Sequence, residues 1–554
     1  MTDTPCLITS ALPYVNNILH LGNIIGSVLS ADVHARYLRK MQKQVLFVCG
    51  TDEYGTTTEI KALQEGLTCQ GICDKYHELQ KESLRWFNIS CDVFGRTTTD
   101  TQTKLAQKIF LELWENGHLE GKPMNQLWCT KCNMFIADRY VKGICINPEC
   151  KGITKGDQCD KCGLLVDVNK LISRWCSICG TEPEIKSSKH LFLRLDDFKA
   201  QIEEYFFGET AKVKYMSNTA AAITKHWLSK KLESRCITRD LKWGTPVPKV
   251  AGLEDYWDKV FYVWFDAPIG YLSIIEHGGY DLDHWLKGNW YQFMAKDNVP
   301  FHSIIFPATL MGSKIKGMVT HLSATEYLDF EGKKFSKSEN VGIFCDQVKE
   351  MSEKLHIDED YWRYYLIKKR PETADASFAM SEFAEVIRGE LAQKVGNLVN
   401  RVISLKKKYY MHNDIKYDFT HFKDLQSELL LTMDKILEKY ESFQYRDAVK
   451  FINRLAEIGN EYVNHYTLWN ILKDTDKLKE NQHYLGNVAI ICWLYFEYCE
   501  PIMPNKTIRV RNYFQMPQIN FETVKSYIEL GEGVINIVTD EYEILFNQIK
   551  LGDV

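Results

Sequence analysis

The chain has 554 residues, more than one hydrophobic core accommodates, so three or four domains are expected. With 45% hydrophobic and 25% charged residues it has the balance of an ordinary soluble globular protein. A net charge of −5 excludes a chain that is basic throughout, yet leaves room for a local basic surface that binds phosphate.

The N-terminus enters a strand-like run, "PCLITS", with no secretory signal in front of it. "ALPYVNNILHLGNIIGSVLSADV" follows and runs into a helix. A loop that only turned the chain would need the glycine of "HLGN" and not His20 or Asn23. Gly22 lets a ligand approach the backbone, and a helix start offers free N–H groups to a polyphosphate. Residues 1–120 alternate strand-like and helical patterns, the signature of a parallel α/β sheet. The run Val45–Cys49 is the clearest strand, and it leaves Asp52 and Glu53 at its carboxyl end, where such sheets bind ligands.

Of seventeen cysteines, eight fall between Cys129 and Cys179 in four pairs: Cys129 and Cys132, Cys145 and Cys150, Cys159 and Cys162, Cys176 and Cys179. In a chain without an export signal such pairs suit tetrahedral zinc better than disulfides. The inner two pairs could close one knuckle while the outer two share a second ion, or the pairs could combine consecutively. Four thiolates per ion leave no open position, so the metal is expected to be structural.

The α/β pattern resumes with "VFYVWFDAPIGYLSI" and "FHSIIFPATLMG", so the cysteine block splits the sheet. "EGKKFSKSENVG" then forms a basic loop whose Lys334 and Lys337 suit charge building on a leaving pyrophosphate. Beyond residue 391 the pattern is helical. One apolar stripe comprises Leu391, Val395, Leu398, Val402 and Leu405, and another Ile452, Leu455, Tyr462, Tyr466 and Trp469. "NVAIICWLYFEYC" is too short for a membrane span and carries Glu497, so it reads as a core helix. The tail after Pro501 is expected to fold back on the body.

"HLGN" and "KFSKS" resemble the two signatures of class I aminoacyl-tRNA synthetases. "ALPYVNN", "CGTDEYGT", "KVFYVWFDAPIGYLS" and "AKDNVPFH" look like the methionyl-tRNA synthetase family of the eukaryotic cytoplasmic type. The resemblance covers nearly the whole chain. Asn23 stands where a second histidine is usual, Phe335 where methionine is usual, and Leu468 where proline is common.

The resemblance implies an α/β fold: a split Rossmann-like parallel sheet with a zinc-knuckle connective insertion and a C-terminal all-α helix bundle. Its expected parts are catalytic halves at 1–120 and 251–320, an insertion at 121–250, a stem-contact region with the KFSKS loop at 321–390, and an anticodon-binding region with the tail at 391–554. It implies methionyl-adenylate formation from methionine and ATP, then transfer to the 3′ end of a methionine tRNA. By the same resemblance His20, Gly22, Asn23, Lys334 and Lys337 contact ATP with Mg²⁺. Leu12, Tyr14, Trp264, Ala267, Pro268, Tyr271 and His302 line a methionine pocket, Asp52 pairs with the ammonium, and Arg239 and Asp297 are further active-site positions. Asn397, Arg401 and Trp469 read the anticodon. One or two structural zinc ions, a cytoplasmic location without membrane contact and a monomeric state outside any multi-synthetase complex are expected. Two other functions fit parts of the pattern: another class I synthetase, which would carry a large editing module in the insertion, and a non-catalytic zinc-ribbon RNA-binding protein.

Overall fold

A computed structural model describes residues 4–136, 140–155, 171–333, 335, 341–411, 413–539 and 542–549. Cys159 and Cys162 lie outside these residues, as do Lys334 and Lys337.

Six strands form the central sheet: β1 Cys6–Ser10, β2 Val45–Thr51, β3 Val93–Arg96, β4 Tyr215–Met216, β5 Asn289–Ala295 and β6 His321–Thr325. Every pairing is parallel, in the spatial order β4-β6-β5-β1-β2-β3. The central strands are buried on both faces, which is why they read as continuous apolar runs. The chain winds outward from β1 to β3 on one side and from β5 to β6 on the other. Its winding therefore reverses between β1 and β5, the place where open α/β sheets lodge a ligand.

After β1 the chain enters a helical rod: a first turn over Leu21–Asn23, a π-helical turn over Ile24–Val28, then α1, Leu29–Lys40. A second helix, α2, spans Val263–His277 and crosses close over β2 and β3. A Cβ on Gly95 would come within 2.6 Å of Ile274, so that crossing needs glycine in β3.

The insertion is built on an antiparallel ribbon, Leu119–Cys129 against Glu184–Leu193, in register from Leu119 opposite Leu193 to Trp128 opposite Glu184. The division at 250 leaves Tyr215–Met216 inside the insertion, and that at 320 separates His321–Thr325 from the sheet. In the structure both segments belong to the central sheet, β4 at its edge and β6 next to it. β4 is two residues long and pairs with β6 far along the chain, so local periodicity carries no trace of its membership, whereas β6 pairs with the preceding strand β5.

The C-terminal region contains α3 Glu359–Lys368, α4 Asn397–Tyr409, α5 Tyr445–His465 and α6 Leu478–Cys499. Leu391, Val395, Leu398 and Val402 of the first stripe are buried, as are Ile452, Leu455 and Tyr462 of the second. Among the described residues no helix is long and apolar enough to cross a membrane. The tail does return to the body: Glu532–Ile535 pairs antiparallel with Ile415–Asp418.

One apolar core runs from Ile8, Phe47 and Phe293 of the sheet through Tyr37 and Phe443 into Ile452 and Trp493. Two buried polar clamps cross the same boundary. Arg363 of α3 pairs with Asp32 of α1 at 2.7 Å and also donates to the carbonyls of Phe87, Pro501 and Ile502. Lys40, at the end of α1, pairs with Glu497 and Glu500, and Arg511 binds the same two carboxylates.

Candidate active site

A hollow of about 460 Å³ opens at the reversal between β1 and β5. The turn after β1 contributes Leu12 and Tyr14, and the end of β2 contributes Asp52. Trp264, Ala267, Pro268 and Tyr271 come from α2, while Asp297 and His302 come from the segment after β5. His20, Gly22 and Asn23 enter from the start of the rod, and Phe335 from the late basic loop. These residues are far apart in sequence and meet because β1, β2 and β5 all point their carboxyl ends here.

His20 caps the rod. Its Nδ1 accepts from the Asn23 N–H at 3.2 Å, and Asn23 Oδ1 accepts from the His20 N–H at 3.2 Å. An Nδ1 that accepts leaves the proton of the neutral ring on Nε2, which becomes a donor. Burial holds the imidazole near pKa 4, so it is neutral at physiological pH. Phe335 stacks flat on the ring, with centroids 4.5 Å apart and planes 7° from parallel. A Cβ on Gly22 would press on the His20 ring at 3.0 Å, which explains a glycine there.

Asp52 is 4% exposed, and its Oδ1 has no hydrogen-bond partner among the described residues. Burial, with Asp266 and Glu53 close by, pushes its carboxyl well above the usual range. Glu53 differs: Arg96 binds it at 2.8 Å and Thr51 donates to it at 2.8 Å. Asp52 thus presents to the hollow a carboxyl that a ligand cation would stabilise in its charged form.

The apolar wall is aromatic. Trp264 stacks on Phe301 at 3.9 Å, and Tyr14 meets Trp264 edge-on at 6.1 Å. Pro268 inside α2 has no N–H to give the Trp264 carbonyl four residues back. His302 donates from Nδ1 to the Asn298 carbonyl at 2.9 Å, so its Nε2 accepts from the Tyr271 hydroxyl at 2.8 Å. Burial lowers His302 to about 4 and keeps it neutral. Phe301 and Asp266 were not anticipated: Phe301 reads as core in an apolar helix, and Asp266 acts from behind the lining residues.

Arg239 is not among the lining residues. Its guanidinium lies over the Tyr262 ring at 3.6 Å and donates to the Thr238 carbonyl at 2.9 Å. Asn397 and Arg401 are exposed on α4. Trp469 is 42% exposed and follows Thr467, whose φ of 43° ends the preceding helix. Trp469 therefore leaves the apolar stripe that Ile452, Leu455 and Tyr462 hold.

Cys129, Cys132, Cys176 and Cys179 bring their sulfurs within 4.8 Å of one another, the spread of a tetrahedral zinc site. The outer pairs therefore combine, and the consecutive arrangement is set aside. Cys145 and Cys150 are buried together, while the other half of their expected knuckle lies outside the described residues.

The sequence model of the family described as tRNA synthetases class I (M) matches residues 6–403. A methionine–tRNA ligase of Acanthamoeba polyphaga mimivirus is 45% identical over 544 residues, 96% of this chain and 96% of the relative. The cytoplasmic methionine–tRNA ligase of Homo sapiens is 44% identical over 519 residues, which are 92% of this chain and 56% of that one. The fold matches Mycobacterium tuberculosis methionyl-tRNA synthetase, solved in complex with methionyl-adenylate, with a TM-score of 0.78 over 98% of this chain and 99% of that one, at 20% identity. With a family match over most of its length and such identity across nearly all of one relative, the chain belongs to the methionyl branch of the class I tRNA synthetases.

Proposed function

We propose that this protein activates methionine with ATP and then transfers it to the 3′ end of a methionine tRNA. The observation that carries the reading is the single hollow holding a buried Asp52 carboxyl, an apolar aromatic wall and a neutral His20 donor. Asp52 takes the ammonium, and Tyr14, Trp264, Ala267, Pro268, Tyr271 and His302, with Leu12, enclose the thioether. Sulfur packs well against ring edges, and a neutral His302 adds no charge to desolvate.

Methionine's carboxylate oxygen attacks the α-phosphorus, the bond to the bridging oxygen breaks, and pyrophosphate leaves. No protein base is required, so the protein supplies alignment and electrostatics. His20 Nε2–H, Gly22 and Asn23 receive the phosphates at the start of the rod. Lys334 and Lys337 meet the charge on departing pyrophosphate, and Mg²⁺ enters with ATP as part of the substrate. Asp297 faces the nucleotide end of the hollow. Residues 321–390 contact the tRNA stem, and 391–554 carry the anticodon contacts through Asn397, Arg401 and Trp469. The zinc ion stiffens the tip of the insertion, and the working form is a cytoplasmic monomer.

Methionine-dependent exchange of label between pyrophosphate and ATP tests the reading. Exchange is expected with methionine and not with isoleucine, valine or leucine, and Lys337→Ala should slow it roughly 10²–10³-fold while sparing methionine binding. No exchange with any amino acid would overturn the proposal.

A further inference from the structure

The helix Cys69–Trp86 flanks the hollow, and its Leu84 belongs to the lining. Gln80, one turn earlier on that helix, is fully buried and lies outside the lining. Its Nε2 donates to the Tyr14 carbonyl at 2.7 Å and to the Asn17 carbonyl at 3.0 Å. A primary amide offers two N–H donors from one neutral atom at a fixed angle. It therefore grips two carbonyls three residues apart and fixes the turn between them.

The strand end that carries Asp52 holds the same turn from another side. The Asp52 N–H donates to the Pro13 carbonyl at 2.9 Å, and the Val15 N–H donates to the Asp52 carbonyl at 3.2 Å. The helix of Gln80 grips that strand end as well. His77 Nδ1 donates to the Thr51 hydroxyl at 2.8 Å, since that hydroxyl gives its own hydrogen to Glu53. The Cys73 thiol donates to the Glu53 carbonyl at 3.5 Å. Tyr14 sits between these two grips, and its ring meets Trp264 edge-on in the apolar wall.

Packing alone calls for an apolar side chain at position 80. Gln80 Oε1 is buried with no hydrogen-bond partner among the described residues, a cost that methionine of like length would avoid. What methionine lacks is the pair of donors. The helical region offers a comparison, because Gln426 Nε2 donates to the Ile528 carbonyl at 2.6 Å, outside the lining of the hollow.

We propose that Gln80 is a positioning residue for methionine: its amide sets the stance of Tyr14 in the pocket wall and thereby the affinity for the amino acid. The inference rests on the activation reading and adds to it a determinant that touches no substrate.

The test is methionine-dependent pyrophosphate exchange by the full chain with its metal retained. Gln80→Met should raise KM for methionine about 10-fold, with kcat and KM for ATP near wild type, because the grip ends at Asn17, short of His20. The rise should fall to less than about 2-fold when Tyr14→Ala is already present, since both changes act through one ring. Gln426→Met, which removes the same bonding from the helical region, should leave KM for methionine unchanged. Gln80→Glu puts acceptors where the donors were and is a second variant with the same expectation. A KM for methionine within about 2-fold of wild type in Gln80→Met, an undiminished rise on the Tyr14→Ala background, or an equal rise in Gln426→Met would each overturn the proposal. So would failure of both Gln80 variants to fold, since the residue would then serve the fold and not the site. Wild-type exchange is read first: its absence would sink the activation reading itself, whereas wild-type exchange with an unmoved KM in Gln80→Met sinks this inference alone.

Discussion

A carboxylate as deeply enclosed as that of Asp52 favours its neutral form until a cation arrives. Methionine's ammonium supplies one, so binding should expel a proton from Asp52 whenever the free protein holds it protonated. The sign follows: the carboxyl is raised in the free state and lowered in the complex, so KM for methionine rises as pH falls and kcat at saturation changes little. Asp52→Asn should raise KM roughly 10²–10³-fold, the cost of an unpaired buried charge, and flatten its pH dependence. A variant KM that still climbs toward low pH would place the titrating group elsewhere. At this scale much was legible. Local sequence alone leaves His20 to a turn, Asp52 as readily to a cap as to a site, and Trp264 and Tyr271 to the core; the family resemblance singled them out, and the sheet gathers all four around one hollow. Phe301 was not legible, since an aromatic beside Pro300 in an apolar helix has no local mark of a ligand wall.

With an ion on Cys129, Cys132, Cys176 and Cys179, the insertion would depend on metal more than on its apolar core. Apart from the cysteines, the described residues of the buried cluster at its tip are Leu127, Ile136, Tyr140, Val141 and Leu171. A structural zinc site of this kind contributes binding energy of about 10–16 kcal/mol to folding. Cys132→Ser should therefore lose one equivalent of zinc by metal analysis and open the segment between Leu127 and Cys179 to protease, with the central sheet still protected. On the helical side, the exposed Trp469 should act on tRNA alone. Trp469→Ala is expected to lower tRNA charging about 10-fold or more with exchange near normal, because stacking one base is worth about 1–3 kcal/mol. Parallel loss of both activities would return Trp469 to a packing role. Helical stripes were readable as a period of 3.6, whereas β4, two residues long, was not. The π turn at Ile24–Val28 was hidden as well, since one extra residue per turn changes hydrogen bonding without changing composition.

Taken whole, the molecule binds its sheet to its helices through charge as well as apolar contact. Burial would raise Asp32, yet Arg36, Arg363 and Ser90 bring its carboxyl down to about 2. A carboxyl depressed by folding contributes stability that is present above its unfolded value near 3.8 and fades as pH falls through about 2. Arg363→Ala should leave Asp32 buried with one of its two guanidinium partners and cost about 3–5 kcal/mol at pH 7, read from urea unfolding, with the deficit shrinking below pH 3.8. A deficit constant with pH would mean that Arg363 serves by volume and not by charge. The sequence showed two kinds of region, but it could not show that they share one core, because the residues that join them, Tyr37 and Phe443, look like any buried aromatics. The rod from Leu21 to Lys40 makes that joint consequential. At about 1.5 Å per residue it is a lever some 30 Å long, with an imidazole at one end and the Glu497–Glu500 clamp at the other. A tilt of about 2° where the bundle grips it would swing the far tip by about 1 Å, enough to detune an alignment-driven reaction about 10²-fold.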